Sequence, residues 1–280
     1  MPISTEYLPA AYALSAVGVW GASDFLGGIG ARRANAFLFT AIVHVSGMVL
    51  MGGLALSAHA RLPGEGTSLW ALLAGSVGGI ALALFYRALA NGKMGLTAPI
   101  AAVLGAGVPT IVTAFARGFP GYRHVGGFVL AGIGVCLISR TEGGGRPEGL
   151  GLAVLAGFGF AGFYLCINQA GNASALWIAV ISRTASFAVT IAFVLFGRHI
   201  RALPTPVLAI AILTGCLDIT GSVVFIRANQ MGRLDEAVVL SSLYPAVTVV
   251  LARIILHEHF SRARTVGMLA ALLAVPMVAG

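Results

Sequence analysis

The sequence predicts an all-α integral membrane protein, with ten transmembrane helices arranged as two inverted five-helix repeats. Composition is the first observation: 58% of the residues are hydrophobic and 9% are charged, against roughly 45–50% and 25% in typical soluble domains. Long apolar runs are the second observation, and a local pattern that recurs at a spacing of half the chain is the third. A water-soluble fold is therefore excluded.

The first half contains five apolar runs, and each ends at charge, glycine or proline. The first run ends before Arg32, the third before Lys93 and the fifth before Arg140. Most runs approach the roughly 20 residues that a helix needs to cross about 30 Å of hydrocarbon. Because backbone groups in lipid must find internal partners, we expect these runs to be helices. They cover residues 8–31, 35–57, 69–90, 96–116 and 125–139.

The second half repeats this arrangement after a glycine-rich, charged segment at 141–149. Its runs are bounded by Gly171, Arg198, Arg233 and His257, and they cover residues 150–170, 176–196, 207–229, 237–256 and 265–280. The linker composition is typical of a boundary between units. We therefore divide the chain into a first repeat at 1–140, the linker at 141–149 and a second repeat at 150–280.

The repeat is visible where Phe85-Tyr-Arg-Ala and Phe225-Ile-Arg-Ala occur at equivalent positions, half of the 280-residue chain apart. At the same spacing Gly75 falls on Gly215, and Lys93 falls on Arg233. A unit with five crossings must present its copy upside down in the membrane. Inverted repeats of this kind are typical of secondary transporters, whose substrate site lies between the halves near the bilayer midplane.

The formal net charge of +8 comes from Lys and Arg residues that lie singly or in pairs at the ends of runs. This distribution favours anchoring at the lipid interface over binding of nucleic acid. The three cysteines lie in three different runs, so neither a disulfide framework nor a metal site is implied. No ATP-binding P-loop motif occurs, and we expect no cofactor.

Four segments resemble EamA-type members of the drug/metabolite transporter superfamily. They are Trp20-Gly-Ala-Ser-Asp-Phe25, Phe85-Tyr-Arg-Ala-Leu89, Leu240-Ser-Ser-Leu-Tyr-Pro245 and His257-Glu-His-Phe-Ser261. The family motif Gly-Glu-x-x-Ser is represented by Glu258 and Ser261 in the second half, whereas the matching segment at 118–122 has no Glu. This departure argues against a symmetrical role for the motif.

The resemblance implies a secondary transporter, commonly an exporter of amino acids, amines, organic cations or other small metabolites. It also implies a multi-pass protein of a bacterial-type inner membrane, with both termini in the cytoplasm. The loops after the odd-numbered helices carry more Lys and Arg than those after the even-numbered helices, which by the positive-inside rule would put the termini outside. The expected partners are a small-molecule substrate, protons and the bilayer, and the expected state is a monomer or homodimer.

Asp24 and Asp218 are the strongest candidates for transport chemistry, because both fall inside apolar runs. A carboxylate in a membrane helix costs a few kcal/mol and usually faces a cavity, a partner or a proton path. Each carboxylate could bind a cationic substrate and exchange it for a proton, or could be permanently paired with an arginine. Proton-coupled alternating access follows from the first interpretation.

Other candidates lie near the middle of their runs. His44 and Arg183 could partner an Asp, bind a carboxylate or relay a proton, since His ionises near neutral pH. Trp20 precedes Asp24 by one turn, and Tyr164 is the repeat equivalent of Asp24; rings beside a carboxylate suit an organic cation. Each of these residues is also explained by helix packing.

Ser23, Asn168 and Tyr244 offer hydrogen bonds to a substrate or between helices. Arg87 and Arg227 are expected as interfacial anchors, or as gates that close one face of the cavity each. Gly105-Ala-Gly-Val-Pro109 and Tyr244-Pro245 are expected to interrupt the fourth and ninth helices, because proline removes a backbone donor.

The sequence also bears on two other classes of protein. An intramembrane aspartyl protease is disfavoured, because the expected Gly-x-Gly-Asp phrase surrounds neither Asp24 nor Asp218. A facilitative channel or uptake carrier for a small polar solute is the remaining alternative. Saturable, pH-coupled flux would identify a coupled carrier, whereas flux through a channel would rise with concentration.

Overall fold

The computed structural model describes residues 8–92, 94–117, 121–139, 148–198, 202–232, 234–257 and 261–279. These residues form helices and connecting segments without any strand, which confirms the all-α class. The helices are α1 (Leu8–Ala31), α2 (Ala36–Ser57), α3 (Glu65–Asn91), α4 (Met94–Arg117), α5 (Tyr122–Ser139), α6 (Leu150–Gln169), α7 (Ala175–Phe196), α8 (Thr205–Met231), α9 (Leu234–Ser241), α10 (Tyr244–Ile255) and α11 (Arg262–Ala279).

The surface of the helix bundle is apolar. Large hydrophobic side chains are exposed on several helices, including Val49 at 65%, Phe115 at 85% and Leu273 at 61%. In water such a surface would be unstable, whereas lipid tails solvate it. Six helices, α2, α3, α4, α6, α7 and α8, are long and apolar enough to cross a membrane. The protein is therefore a multi-pass membrane protein, and the number of ten spans stays a prediction.

The ninth predicted run is divided into α9 and α10 at Ser242 and Leu243. Pro245 lies in the first turn of α10, where its missing N–H group would have no helical partner in any case. The expected interruption at Tyr244-Pro245 is confirmed. The one expected at Gly105-Ala-Gly-Val-Pro109 is wrong, because α4 continues through Pro99 and Pro109. A membrane helix tolerates proline when neighbouring groups and local adjustment satisfy the freed carbonyl.

The helix contacts follow the same pattern when the helices of the first half are exchanged for those of the second. α1 packs on α8, and the equivalent pair α6 and α3 also pack together. In the same way α2 packs on α8 and α7 on α3, while α1 contacts α10 and α6 contacts α4. The last helix of each half, α5 and α11, pack against one another. These contacts arrange α1, α3, α6, α7, α8 and α10 around one central space.

Two glycines allow the closest of these approaches. A methyl group on Gly75 of α3 would collide with the carbonyl oxygen of Ser182 on α7. At the equivalent position of the other half, a methyl group on Gly215 would collide with the carbonyl oxygen of Val43 on α2. Ser186 also donates a hydrogen bond of 2.7 Å to the carbonyl oxygen of Gly75. The backbones of α3 and α7 are therefore in direct contact beside the central space.

The start of α6 is determined by Gly149, whose φ of 80° is a left-handed conformation that favours glycine. A Cβ atom at position 149 would also lie 2.7 Å from the carbonyl oxygen of Ala88, which is closer than van der Waals contact allows. The second half thus begins against the end of α3. Residues 141–147 of the predicted linker and Glu258 of the family motif lie outside the described residues.

Candidate functional site

The central space is lined by residues one helical turn apart. Trp20 and Asp24 lie on one face of α1, and Asp218 and Ser222 lie on one face of α8. Residues four apart share a helical face, so each pair presents both side chains to the same region. α3 and α6 contribute in the same way, and α7 and α10 complete the wall. The other lining residues are Gly78, Leu82, Phe160, Phe163, Tyr164, Arg183, Ser186 and Tyr244.

Arg183 is the centre of a buried polar network. Its Nη2 lies 2.5 Å from Oδ2 of Asp218 and donates to Oγ of Ser222 at 2.7 Å. Its Nη1 lies 3.2 Å from Nδ1 of His44. A guanidinium group can only donate, so Nδ1 of His44 accepts, and the ring is the neutral tautomer with its proton on Nε2. The network therefore joins α7, α8 and α2 through one positive charge.

Two hydrogen bonds hold α1 against α8 beside this network. The indole Nε1 of Trp20 donates to the backbone carbonyl oxygen of Asp218 at 3.1 Å. One turn away, Oγ of Ser23 lies 3.1 Å from the carbonyl oxygen of Thr214, to which it donates. A Cβ atom placed on Gly221 would lie only 2.5 Å from Cδ1 of Trp20. The absence of a side chain at Gly221 therefore creates the space for the indole ring.

Asp24 has a different environment from Asp218. Its side chain is almost fully buried, with 5% of the residue surface exposed. Among the residues that the structure describes, none forms a hydrogen bond or an ion pair with it. The charge of Asp218 repels it through the intervening space, while Arg183 is engaged by Asp218. Asp24 is thus a buried carboxyl group facing the cavity without a protein cation beside it.

Aromatic rings surround this carboxyl group. The ring centroid of Trp20 lies 6.3 Å from that of Tyr164 and 6.2 Å from that of Tyr244. Phe225 packs behind them, 5.5 Å from Trp20 and 4.9 Å from Tyr164. The hydroxyl group of Tyr244 is buried and has no hydrogen-bond partner in the described part of the chain. The site therefore combines a carboxyl group, several π faces and a hydroxyl group that can donate or accept.

The cavity is small in this conformation. Its volume is about 50 Å³, whereas pockets for small molecules usually measure roughly 300–1,000 Å³. It exceeds the roughly 10–15 Å³ that one water molecule needs. The central space is therefore contracted compared with a typical ligand pocket.

The structure brings most of the predicted site residues together. Asp24, Asp218, Trp20, Tyr164, Arg183 and Tyr244 all line the cavity, and His44 and Ser23 lie directly behind it. Asn168 does not join them, because it is exposed near the end of α6. Arg87 and Arg227 are exposed as well, in the C-terminal parts of α3 and α8.

Several lining residues were not predicted from the sequence. Ser222 follows Asp218 by one turn, so helical spacing alone could have indicated it. Gly78 lies half of the chain before Asp218, so the repeat spacing could have indicated it. Leu82, Phe163 and Ser186 carry no such signal, because apolar and small residues are common on every face of a membrane helix.

The comparisons with known proteins agree with this fold. Residues 147–280 match the family model described as the EamA-like transporter family. A solved structure titled only as the crystal structure of a protein has a TM-score of 0.69 and 15% sequence identity, and the match covers 96% of this chain and 95% of that one. At this identity the likeness concerns the fold alone. No curated protein matches the chain.

The apolar helices and the match of residues 147–280 to a transporter family together support a multi-pass membrane transporter. The family match over the second half confirms the resemblance to EamA-type members of the drug/metabolite transporter superfamily. Members of that family are transporters and not enzymes. The fold similarity extends over the whole chain and therefore includes the first half, which the family model does not match.

Proposed function

We propose that this protein is a secondary transporter that carries a small organic cation or amine, and that Asp24 binds the cation or a proton in alternation. The observation that carries the proposal is Asp24 itself, a buried carboxyl group in the central cavity without a cationic partner among the described residues. A buried charge is stable when it is paired. In this site a substrate cation or a proton provides the pairing.

The charges in the cavity favour a monovalent cation. Asp218 and Arg183 balance one another, so an ionised Asp24 leaves the site with one net negative charge. A second cation would have to displace Arg183, which is also bonded to His44 and Ser222. The rings of Trp20, Tyr164 and Tyr244 add cation–π attraction for an ammonium group. Amines, organic cations and amino acids with a free amino group all provide such a group.

Alternating access is supported by the arrangement of helices. The contacts of α1 with α8 and of α3 with α6 correspond under exchange of the halves, as expected for two inverted five-helix repeats and ten spans. Rocking of one half against the other would open the contracted cavity first to one side and then to the other. The break between α9 and α10 lies beside Trp20 and Tyr244 and is a suitable hinge. Outward transport against a proton is proposed from the family resemblance.

A facilitative channel fits these observations less well. A cavity of about 50 Å³, with a buried ion pair and packed rings in its wall, leaves little room for a solute to pass. Flux through a channel should rise without saturation and should not need exchange. The carrier mechanism predicts saturation and acceleration by substrate on the opposite side.

The test is flux in proteoliposomes under an imposed pH gradient. A thermal-shift screen with primary amines, quaternary ammonium ions and amino acids of matched size first selects the substrate. We then expect Asp24→Asn to reduce transport about 10- to 100-fold, since a hydrogen bond to a charged group contributes about 1.5–3 kcal/mol, and to abolish its dependence on the pH gradient. Glu65→Gln is the matched control, because Glu65 is an exposed acid at the start of α3. Unchanged pH dependence in Asp24→Asn would refute the coupling role.

A further inference from the structure

A second cavity lies at the end of the bundle, apart from the central site. It is formed where the loop between α1 and α2 meets the end of α7 and the segment before α8. Its volume is about 470 Å³, which lies within the range of ligand pockets. The lining residues are Arg33, Ala34, Asn35, Leu38, Arg198, Ala202, Leu203 and Pro204.

The cavity has a strong positive charge. Arg33 and Arg198 are both exposed to it, and no acidic side chain is among the described residues that line it. Neither guanidinium group forms a hydrogen bond or ion pair with any residue that the structure describes. Two guanidinium groups on one cavity repel each other, and an anion between them would remove the repulsion. Guanidinium groups match the geometry of phosphate oxygens, to which they donate paired hydrogen bonds.

Asn35 adds a neutral donor to the same wall. Its side-chain oxygen accepts from the backbone N–H groups of Phe37 and Leu38, at 3.0 and 3.2 Å. The oxygen is thereby occupied in capping α2, and the NH₂ group of the same side chain can only donate. An anion in the cavity is a suitable acceptor for it.

The neighbouring surface is apolar. Phe193 and Phe196, in the last turn of α7 just before Arg198, are 50% and 90% exposed. The ring of Phe193 also packs on that of Phe37, with centroids 5.4 Å apart, so the apolar surface continues onto α2. An inorganic anion would make no use of this surface. A phospholipid has both a phosphate for the arginines and acyl chains for the aromatic rings.

We propose that this cavity binds the headgroup phosphate of an anionic phospholipid, with Arg33 and Arg198 on the phosphate and the acyl chains along the end of α7. Basic pockets between membrane helices are known to bind anionic headgroups. Such a lipid would join the loop between α1 and α2 to the connection between α7 and α8. Because α1 carries Asp24 and α7 carries Arg183, a lipid at this position would brace the helices that form the central site.

The test is lipid binding to the full-length protein by native mass spectrometry. Detergent-purified protein is titrated with dioleoylphosphatidylglycerol, and the lipid-bound fraction gives the dissociation constant. We expect Arg33→Gln/Arg198→Gln to bind about thirty-fold more weakly, since each arginine near an anionic headgroup contributes a factor of about five. The double variant Arg61→Gln/Arg253→Gln, which removes the same charge from exposed positions outside the cavity, should bind as the wild type does.

Further variants and competing ligands in the same binding assay identify what the cavity recognises. Arg33→Lys/Arg198→Lys should retain most of the binding, because the charge is kept. Equal binding of dioleoylphosphatidylcholine, or displacement of the lipid by an equal concentration of inorganic phosphate, would overturn the proposal. So would wild-type affinity in Arg33→Gln/Arg198→Gln. The elution profile and the melting temperature without lipid show whether each variant is folded. If the double variant is not folded, the single variants Arg33→Gln and Arg198→Gln replace it.

Discussion

Asp24 and Asp218 line the same cavity, but the structure gives them different partners. Asp218 contacts Arg183, and its helix also receives the hydrogen bond of the Trp20 indole. Asp24 has no such contact among the described residues. A buried ion pair that loses one partner leaves an uncompensated charge, whereas removal of an unpaired buried charge relieves a cost. The two carboxyl groups should therefore respond in opposite ways to neutralisation.

The stability of the ion pair can be measured with a double-mutant cycle. We expect Asp218→Asn and Arg183→Gln each to lower the free energy of unfolding by about 3–5 kcal/mol, because each leaves one buried charge alone. The double variant should lose less than the sum of the two, since neither charge remains. Asp24→Asn neutralises the other buried carboxyl group of the cavity and is the comparison. It should leave the free energy of unfolding unchanged or raise it. Denaturant unfolding in detergent, followed by tryptophan fluorescence, measures all four variants.

Strict additivity in that cycle would mean that Arg183 and Asp218 do not interact in the membrane. A loss of stability in Asp24→Asn comparable to that in Asp218→Asn would mean that Asp24 has a protein partner after all. Either result would remove the basis for different roles of the two carboxyl groups.

Sequence reasoning found the charged and aromatic part of the site because such residues are rare and costly in membrane helices. Asp24, Asp218, Arg183, Trp20 and Tyr244 were all recognised in this way. The sequence did not indicate which of the two carboxyl groups pairs with Arg183. Arg183 contacts Asp218 and not Asp24 because of the way in which α7 and α8 are oriented. That orientation is a property of the folded bundle and is not encoded in local spacing.

At the level of single elements, the two predicted proline interruptions had different outcomes. Pro245 begins a new helix after the break at Ser242 and Leu243, whereas α4 runs on through Pro99 and Pro109. The chemistry of proline is the same in both cases. Neighbouring helices decide whether the freed carbonyl is tolerated within a continuous helix, so a sequence motif alone could not distinguish them.

The contact between α3 and α7 depends on the lack of a side chain at Gly75. Gly75→Ala places a methyl group against the carbonyl oxygen of Ser182, so the helices must separate, and the 2.7 Å bond from Ser186 must lengthen or break. Overpacking of this kind typically costs about 1–3 kcal/mol. We expect a lower melting temperature and reduced flux, measured by thermal unfolding and in proteoliposomes.

Gly53→Ala is the matched control for that substitution. Gly53 lies within α2, and a Cβ there would meet nothing within 4 Å. Because alanine favours a helix over glycine by about 1 kcal/mol, Gly53→Ala should not destabilise the protein. Equal effects of the two substitutions would show that the close approach of α3 and α7 is unimportant.

For the molecule as a whole, the contracted cavity predicts limited access from water. Ser186 lines the cavity and is 1% exposed. In a protein whose three native cysteines are replaced by alanine, we expect Ser186→Cys to react slowly with a membrane-impermeant methanethiosulfonate reagent. Substrate should change the rate, because turnover opens the cavity. Ser57→Cys, at the exposed end of α2, is the control for unrestricted reaction.

Fast labelling of Ser186→Cys that is independent of substrate would contradict the carrier mechanism, since it would require a permanently open path. Labelling from both sides of the membrane at once would have the same meaning. The two-half organisation stays a prediction from the sequence, in which Arg87 and Arg227 occupy equivalent positions half of the chain apart. The packing of the helices around one cavity required the structure.

The carboxyl group of Asp24 also has an energetic consequence for transport in a living cell. If Asp24 holds either one proton or one monovalent cation, while Arg183 and Asp218 keep their charges paired, each full cycle exchanges one positive charge for another. Such an exchange is electroneutral. The membrane potential, which contributes about 2.3 kcal/mol per elementary charge at 100 mV, would then supply no driving force, and the proton concentration difference alone would set the limiting substrate gradient. Flux should therefore be insensitive to a potassium diffusion potential.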